Sequence, residues 1–237
     1  MTSRDRRASQ TVPLALCLLV ATAVGCSRPA PEPVADRAPA AVVSTGPAPD
    51  ARPRVIVLGD SLTAGLGLVP AESFPAVLQR KIDEARLPFD VVNAGVSGDT
   101  SAGGLRRLDW SLQDGARVLI VALGANDGLR GLPVRELKRN LATVIERAQA
   151  KRIVVVLAGM EAPPNYGVEY ATAFRQAYRE LATQYNVRLV PFLLARVAGQ
   201  PGLNQADGIH PNVRGAQIVA DTVWTVLRPE LERLSAS

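Results

Sequence analysis

Val55-Ile56-Val57-Leu58-Gly59-Asp60-Ser61-Leu62 opens the globular part of this chain. Four consecutive apolar residues present no polar face to water, so the run reads as a strand buried on both sides rather than one alternating between core and solvent. The glycine permits a tight turn, and Asp60-Ser61 suits the start of a helical turn. The same design recurs at Phe89–Asn93, Val118–Leu123, Ile153–Leu157 and Val187–Val190. Between these runs, helical spacing of apolar residues predicts helices over Ser73–Arg86, Ala102–Gln113, Val134–Ala150 and Val168–Tyr185, with a last one from about Val213 to Leu234. Strands apolar on both faces, each separated from the next by a helix, require a parallel sheet covered on both sides. The expected fold is α/β, a three-layer α/β/α sandwich with a five-stranded parallel sheet. In such sheets the active groups gather at the carboxyl ends of the strands.

Upstream of this domain the composition changes twice. Arg4, Arg6 and Arg7 precede an apolar run from Val12 to Gly25, 14 residues long, which is too short to span a bilayer and reads as an export signal over residues 1–26. It ends in Ala23-Val24-Gly25-Cys26, which resembles the lipobox of bacterial lipoproteins; cleavage before Cys26 would leave that cysteine as a lipidated N-terminus. The small residues at positions 23–25 suit ordinary secretory cleavage as well. Residues 27–53 hold 14 Pro or Ala in 27 positions and read as an extended, disordered tether. Residues 54–237 then form one domain without internal linkers.

Charge and cysteine content exclude several classes. The formal net charge is +5, of which the leader carries +2, leaving about +3 for a processed chain. Pairs such as Arg106-Arg107 and Lys138-Arg139 read as solvated helix faces, and no nucleic-acid module is visible. Cys17 lies within the leader, so a processed chain has Cys26 at most and no internal disulfide. With one histidine and no cysteine in the domain, a zinc site would have to rest on carboxylates, which is not its usual ligand set. Neither a metal nor an organic cofactor is expected.

The predicted strand ends carry a specific set of groups. Ser61 follows the first strand. Gly95, in Asn93-Ala94-Gly95, follows the second and leaves its backbone N–H open to a ligand. Asn126, in Gly124-Ala125-Asn126-Asp127, follows the third. The single histidine, His210, lies in Asp207-Gly208-Ile209-His210-Pro211-Asn212, with a carboxylate three residues upstream. Each has a plainer reading taken alone: Asp60 or Ser61 as a helix cap, Gly95 and Asn126 as turn residues, His210 as a surface loop histidine. Together they supply what acyl transfer needs: Ser61 as nucleophile, His210 as base, Asp207 as its orienter, and N–H donors around a developing oxyanion. Asp60, Asp99 and Asp127 read as groups that order their own loops. Gly65-Leu66-Gly67-Leu68-Val69-Pro70 resembles a dinucleotide loop, but Pro70 stands in place of the third glycine. The G-x-S-x-G elbow is absent because Thr63 stands where its second glycine belongs.

In this order, Gly59-Asp60-Ser61-Leu62, Gly95, Asn126 and Asp207-Gly208-Ile209-His210 resemble the GDSL or SGNH hydrolase family across residues 54–237. Ser97-Gly98-Asp99-Thr100-Ser101, Asn126-Asp127-Gly128-Leu129-Arg130-Gly131 and Pro164-Asn165-Tyr166-Gly167 look like its bacterial thioesterase I, lysophospholipase L1 and arylesterase group. The resemblance implies a flavodoxin-like sandwich and an esterase working through an acyl-enzyme on Ser61. It implies an oxyanion site of the Ser61 and Gly95 N–H groups with the Asn126 amide. It also implies a loop over the acyl site at Met160–Gly167, with Asn165 and Tyr166 as substrate contacts. The substrates it implies are small esters, thioesters or lysophospholipids; carbohydrate O-acetyl esters are the alternative, and a non-catalytic ligand-binding lipoprotein is the reading from outside enzymes. Location is expected to be the periplasm or, through Cys26, a membrane. Ser27 after Cys26 lacks the aspartate associated with inner-membrane retention, which favours the outer membrane. The sequence does not specify an oligomeric state.

Overall fold

A computed structural model describes residues 52–112 and 115–236. The leader, Cys26 and residues 27–51 of the tether lie outside the described residues. The chain runs β1 (Arg54–Gly59), α1 (Ser61–Ala64), α2 (Phe74–Glu84), β2 (Asp90–Gly95), α3 (Ser101–Arg106), α4 (Leu108–Ser111) and β3 (Ala116–Ala122). It continues through α5 (Ala125–Leu129), α6 (Val134–Ala150), β4 (Val154–Ala158), α7 (Val168–Gln184), β5 (Arg188–Val190) and α8 (Val213–Ser235). All five strands are parallel, in the order β2-β1-β3-β4-β5. From β1 the chain moves to one edge and then crosses back to β3, so the ends of β1 and β3 flank the point where strand order reverses. Open α/β sheets leave a crevice at that point.

Burial explains the strands. Val55, Val57 and Leu58 are fully buried and Ile56 nearly so, as are Val118 through Val121. Helices α2 and α8 pack together on one side of the sheet, and α6 packs with α3 and α7 on the other. On α6 the buried residues are Leu137, Leu141, Val144, Ile145 and Ala148, a stripe at the 3–4 spacing of one helix face. Each such leucine contributes roughly 1.5–3 kcal/mol relative to an exposed one.

The helix expected over Ala102–Gln113 is instead two short helices broken at Arg107, which leaves helical backbone (φ −102°, ψ 7°). Its guanidinium turns inward. Arg107 Nε meets Asp99 Oδ2 at 2.6 Å, and Nη2 donates to the Gly59 carbonyl at 2.7 Å. Arg107 is therefore no solvated helix face, whereas Arg106 is exposed. The Gly59 carbonyl at the end of β1, which also accepts the Val96 N–H at 3.0 Å, and the Asp99 carboxylate outweigh the helical geometry. No helix among the described residues is long and apolar enough to cross a membrane.

Candidate active site

Ser61 owes its position to a turn built from its neighbours. Asp60 caps α1, its Oδ1 accepting from the Leu62 N–H at 3.0 Å, and Gly65 ends the helix in the left-handed region at φ +76°. The register pairs Gly59 with Gly95 and with Ala122, so β1, β2 and β3 end at one level. At Gly95 a Cβ would strike the backbone of Ala64, which is why the second strand ends in glycine beside the serine turn.

Across the crevice, Asp207 and His210 stand on the segment that leads into α8. Ser61 Oγ lies 2.9 Å from His210 Nε2, and His210 Nδ1 lies 2.7 Å from Asp207 Oδ2. The second oxygen of Asp207 accepts the backbone N–H groups of Ile209 (2.9 Å) and His210 (3.0 Å). These bonds hold its carboxyl down at about 2, the His210 backbone N–H contributing most, then the bond to its imidazole, then the Ile209 N–H. An ionised Asp207 fixes the proton on Nδ1 and leaves the Nε2 lone pair facing the serine hydroxyl.

Asn126 lies on α5, at the end of β3. Its Nδ2 donates to the Asp99 carbonyl at 2.9 Å and reaches Asp60 Oδ2 at 3.4 Å. The first bond anchors the amide; the second is long, leaving that hydrogen weakly engaged. Three tyrosine hydroxyls brace the segment around it. Tyr178, Tyr166 and Tyr170 donate to the carbonyls of Leu123 (2.9 Å), Leu129 (2.9 Å) and Leu132 (2.8 Å). Of Asp60, Asp99 and Asp127, only Asp60 bonds within its own turn; Asp127 instead ties its loop to the start of α3, accepting the Ser101 N–H at 2.7 Å and its hydroxyl at 2.6 Å.

Two expected details change. The Gly95 N–H is not open: Asn93 Oδ1 accepts it at 3.0 Å, while Asn93 Nδ2 donates to the Thr63 carbonyl at 2.9 Å. A side-chain oxygen two residues away reaches that N–H without strain. The loop over the cleft contributes Met160–Pro164 to its wall; Asn165 and Tyr166 stand outside it, and the Tyr166 hydroxyl is spent on the Leu129 carbonyl. The cleft has a volume of about 630 Å³, with Ser61, Asn126 and His210 among its lining residues and Leu66, Leu129, Met160 and Phe192 among its apolar walls. Such a cleft accommodates an acyl chain with its carbonyl at the serine.

Asp60 is fully buried, and burial pushes its carboxyl up to about 6 against the lowering effect of the bonds from Leu62 and Asn126. Because the folded value lies above the ordinary one, the stability this carboxyl contributes is full below about pH 4 and is lost as pH rises through about 6. The rise from the ordinary value to about 6 corresponds to roughly 3 kcal/mol. Asp60→Asn keeps the acceptor for Leu62 and cannot ionise. Its Tm relative to wild type is expected to climb between about pH 4 and pH 7. A Tm difference that stays constant over that range would refute the assignment, since a packing penalty of the substitution alone offsets the variant by the same amount at every pH.

A serine, an imidazole and a carboxylate in hydrogen-bonded series at the switch point of a parallel α/β sheet, beside an apolar cleft, define a serine-type carboxylic ester hydrolase. The chain belongs to the GDSL-like lipase/acylhydrolase family, whose model matches residues 57–218. It is 42% identical over 178 residues to esterase TesA of Pseudomonas aeruginosa, covering 75% of this chain and 89% of that protein. It is 38% identical over 176 residues to thioesterase 1/protease 1/lysophospholipase L1 of Escherichia coli, covering 74% and 83%. Among solved structures it resembles the psychrotrophic esterase EstA from Pseudoalteromonas sp., in a form inhibited by monoethylphosphonate, with a TM-score of 0.72 and 34% identity over 76% of this chain and 98% of that one.

Proposed function

We propose that this protein is an exported esterase for acyl esters, including thioesters and lysophospholipids, that works through an acyl-enzyme on Ser61. The observation carrying the proposal is the continuous relay from Ser61 Oγ through His210 to Asp207, at 2.9 and 2.7 Å. Ser61 Oγ attacks the acyl carbonyl carbon as its proton passes to His210 Nε2. The C–O or C–S bond to the leaving group then breaks, and the same proton goes to the departing alkoxide or thiolate. Water, deprotonated by His210 Nε2, attacks the acyl carbonyl carbon; the bond to Ser61 Oγ then breaks, His210 returns the proton to Oγ, and the acid leaves. Asp207 holds the imidazole and balances its transient positive charge.

The oxyanion receives the Ser61 N–H, the second hydrogen of Asn126 Nδ2, and Gly95 N–H as a donor shared with Asn93. The names of the relatives support esters, thioesters and lysophospholipids as substrates, and the apolar cleft supports acyl chains over sugars. The leader and Ala23-Val24-Gly25-Cys26 support lipidation at Cys26, with residues 27–53 tethering the domain to a membrane, the outer one in a Gram-negative cell.

One experiment addresses both parts. A fluorophosphonate probe applied to fractions of cells making the full chain is expected to label one band, in the membrane fraction, that moves to the soluble fraction in Cys26→Ala. The purified protein should prefer p-nitrophenyl esters, acyl thioesters and lysophospholipid over acetylated xylan. An unlabelled band beside a labelled control esterase would point to a binding protein. A labelled band that is soluble in wild type would remove the anchor alone.

A further inference from the structure

The catalytic serine and histidine stand on loops far apart in sequence, and their mutual distance must be set by something other than the bond that the reaction makes and breaks. Among the described residues, two hydrogen bonds join residues 61–68 to residues 203–212. One is Ser61–His210 itself, and the other comes from Gln205, whose Nε2 donates to the Leu66 carbonyl at 2.7 Å. The same nitrogen donates to the Pro211 carbonyl at 3.0 Å. Both hydrogens of one amide thus bridge the serine loop and the residue following His210.

The backbone of Gln205 closes the histidine loop. Its N–H donates to the His210 carbonyl at 2.8 Å, and its carbonyl accepts the Gly208 N–H at 3.0 Å. Asn204 and Pro211 form an antiparallel bridge beside it. The segment bearing Asp207 and His210 is therefore a closed ring, and the Gln205 side chain is its strap to the serine loop.

This also accounts for Gly65-Leu66-Gly67, the segment that resembles a dinucleotide loop. Gly67 sits at φ +78°, and a Cβ there would strike the Gln205 amide. The glycine leaves room for the strap while Leu66 offers its carbonyl.

From this geometry we infer that Gln205 is a positioning residue that sets the reach between Ser61 Oγ and His210 Nε2; the inference rests on the serine-esterase reading above. Proton transfer is steep in distance, and a displacement of about 1 Å is worth on the order of 10² in rate.

The test uses the full chain with Gln205→Ala and with Gln205→Glu, which keeps the shape but turns a carboxylate toward two carbonyl oxygens. Both are expected to lower kcat on a short p-nitrophenyl ester by roughly 10- to 100-fold, with a smaller change in KM. Fluorophosphonate labelling should slow by the same factor yet reach one label per chain, a readout that loss of folded protein would not give. Gly67→Ala, which displaces the same amide, should produce a similar fall, and its combination with Gln205→Ala should be less than multiplicative. Rates within about twofold of wild type in Gln205→Ala overturn the inference. So does a labelled fraction that falls in step with kcat at an unchanged labelling rate, because Gln205 then only supports the fold. A wild-type chain that neither labels nor turns over ester overturns instead the functional reading on which the inference stands.

Discussion

Ser61→Ala is expected to lower kcat for ester hydrolysis by on the order of 10⁶ while leaving the protein folded. The size follows from the arrangement: Ser61 Oγ is the group paired with His210 Nε2, and without it the imidazole has no attached nucleophile to activate. The fold should be indifferent. Ser61 occupies the first position of α1, where alanine is acceptable, and the cap of that helix is the Asp60 side chain rather than the serine. A stopped assay on a p-nitrophenyl ester, with the circular dichroism melt of the same sample, provides the check. Hydrolysis retained within about tenfold of wild type by a protein that melts normally would remove Ser61 as nucleophile.

What was readable in the sequence, and what was not, divides along the length scale of the interactions. The five strands fall within two or three residues of their expected bounds because runs such as Val55–Leu58 are apolar on both faces and carry the signal in every residue. Helix α6 matches Val134–Ala150 end for end, with Pro133 before it and a stripe of buried residues along it. Helices α1 and α5, which present Ser61 and Asn126, are four and five residues long and have no room for a helical period. The break at Arg107 was hidden because its cause, the Gly59 carbonyl, lies 48 residues away.

The site shows the same division. Asp207 and His210 are three residues apart, so their pairing is visible locally. Gln205 reaches across 139 residues to a backbone carbonyl, a partner with no signature in residue type. Tyr166, Tyr170 and Tyr178 do show a helical spacing, with Phe174 completing a row whose neighbouring ring centroids lie 5.4–5.9 Å apart. Which carbonyls the hydroxyls seek depends on how the α5 loop folds against that helix.

Asn126→Ala should lower kcat by roughly 10² to 10³, the equivalent of about 3–4 kcal/mol of transition-state stabilisation, with a smaller change in KM. The amide is a good donor for the oxyanion because it is already held: one hydrogen is fixed on the Asp99 carbonyl, the tyrosine hydroxyls brace the loop, and little reorganisation remains when charge develops. The other hydrogen, on a long Nδ2–Oδ2 approach of 3.4 Å to Asp60, has little to give up. Alanine removes the donor but none of the tyrosine bonds, so the cleft should persist and substrate binding should change little. Steady-state kinetics on one ester separates the outcomes, since a rise in KM at unchanged kcat would make Asn126 a binding residue. The double variant with Ser61→Ala adds a second constraint. If both residues act on one transition state, removing Asn126 after Ser61 should cost far less than the same change in wild type, because the attack that generates the oxyanion at Ser61 is already gone.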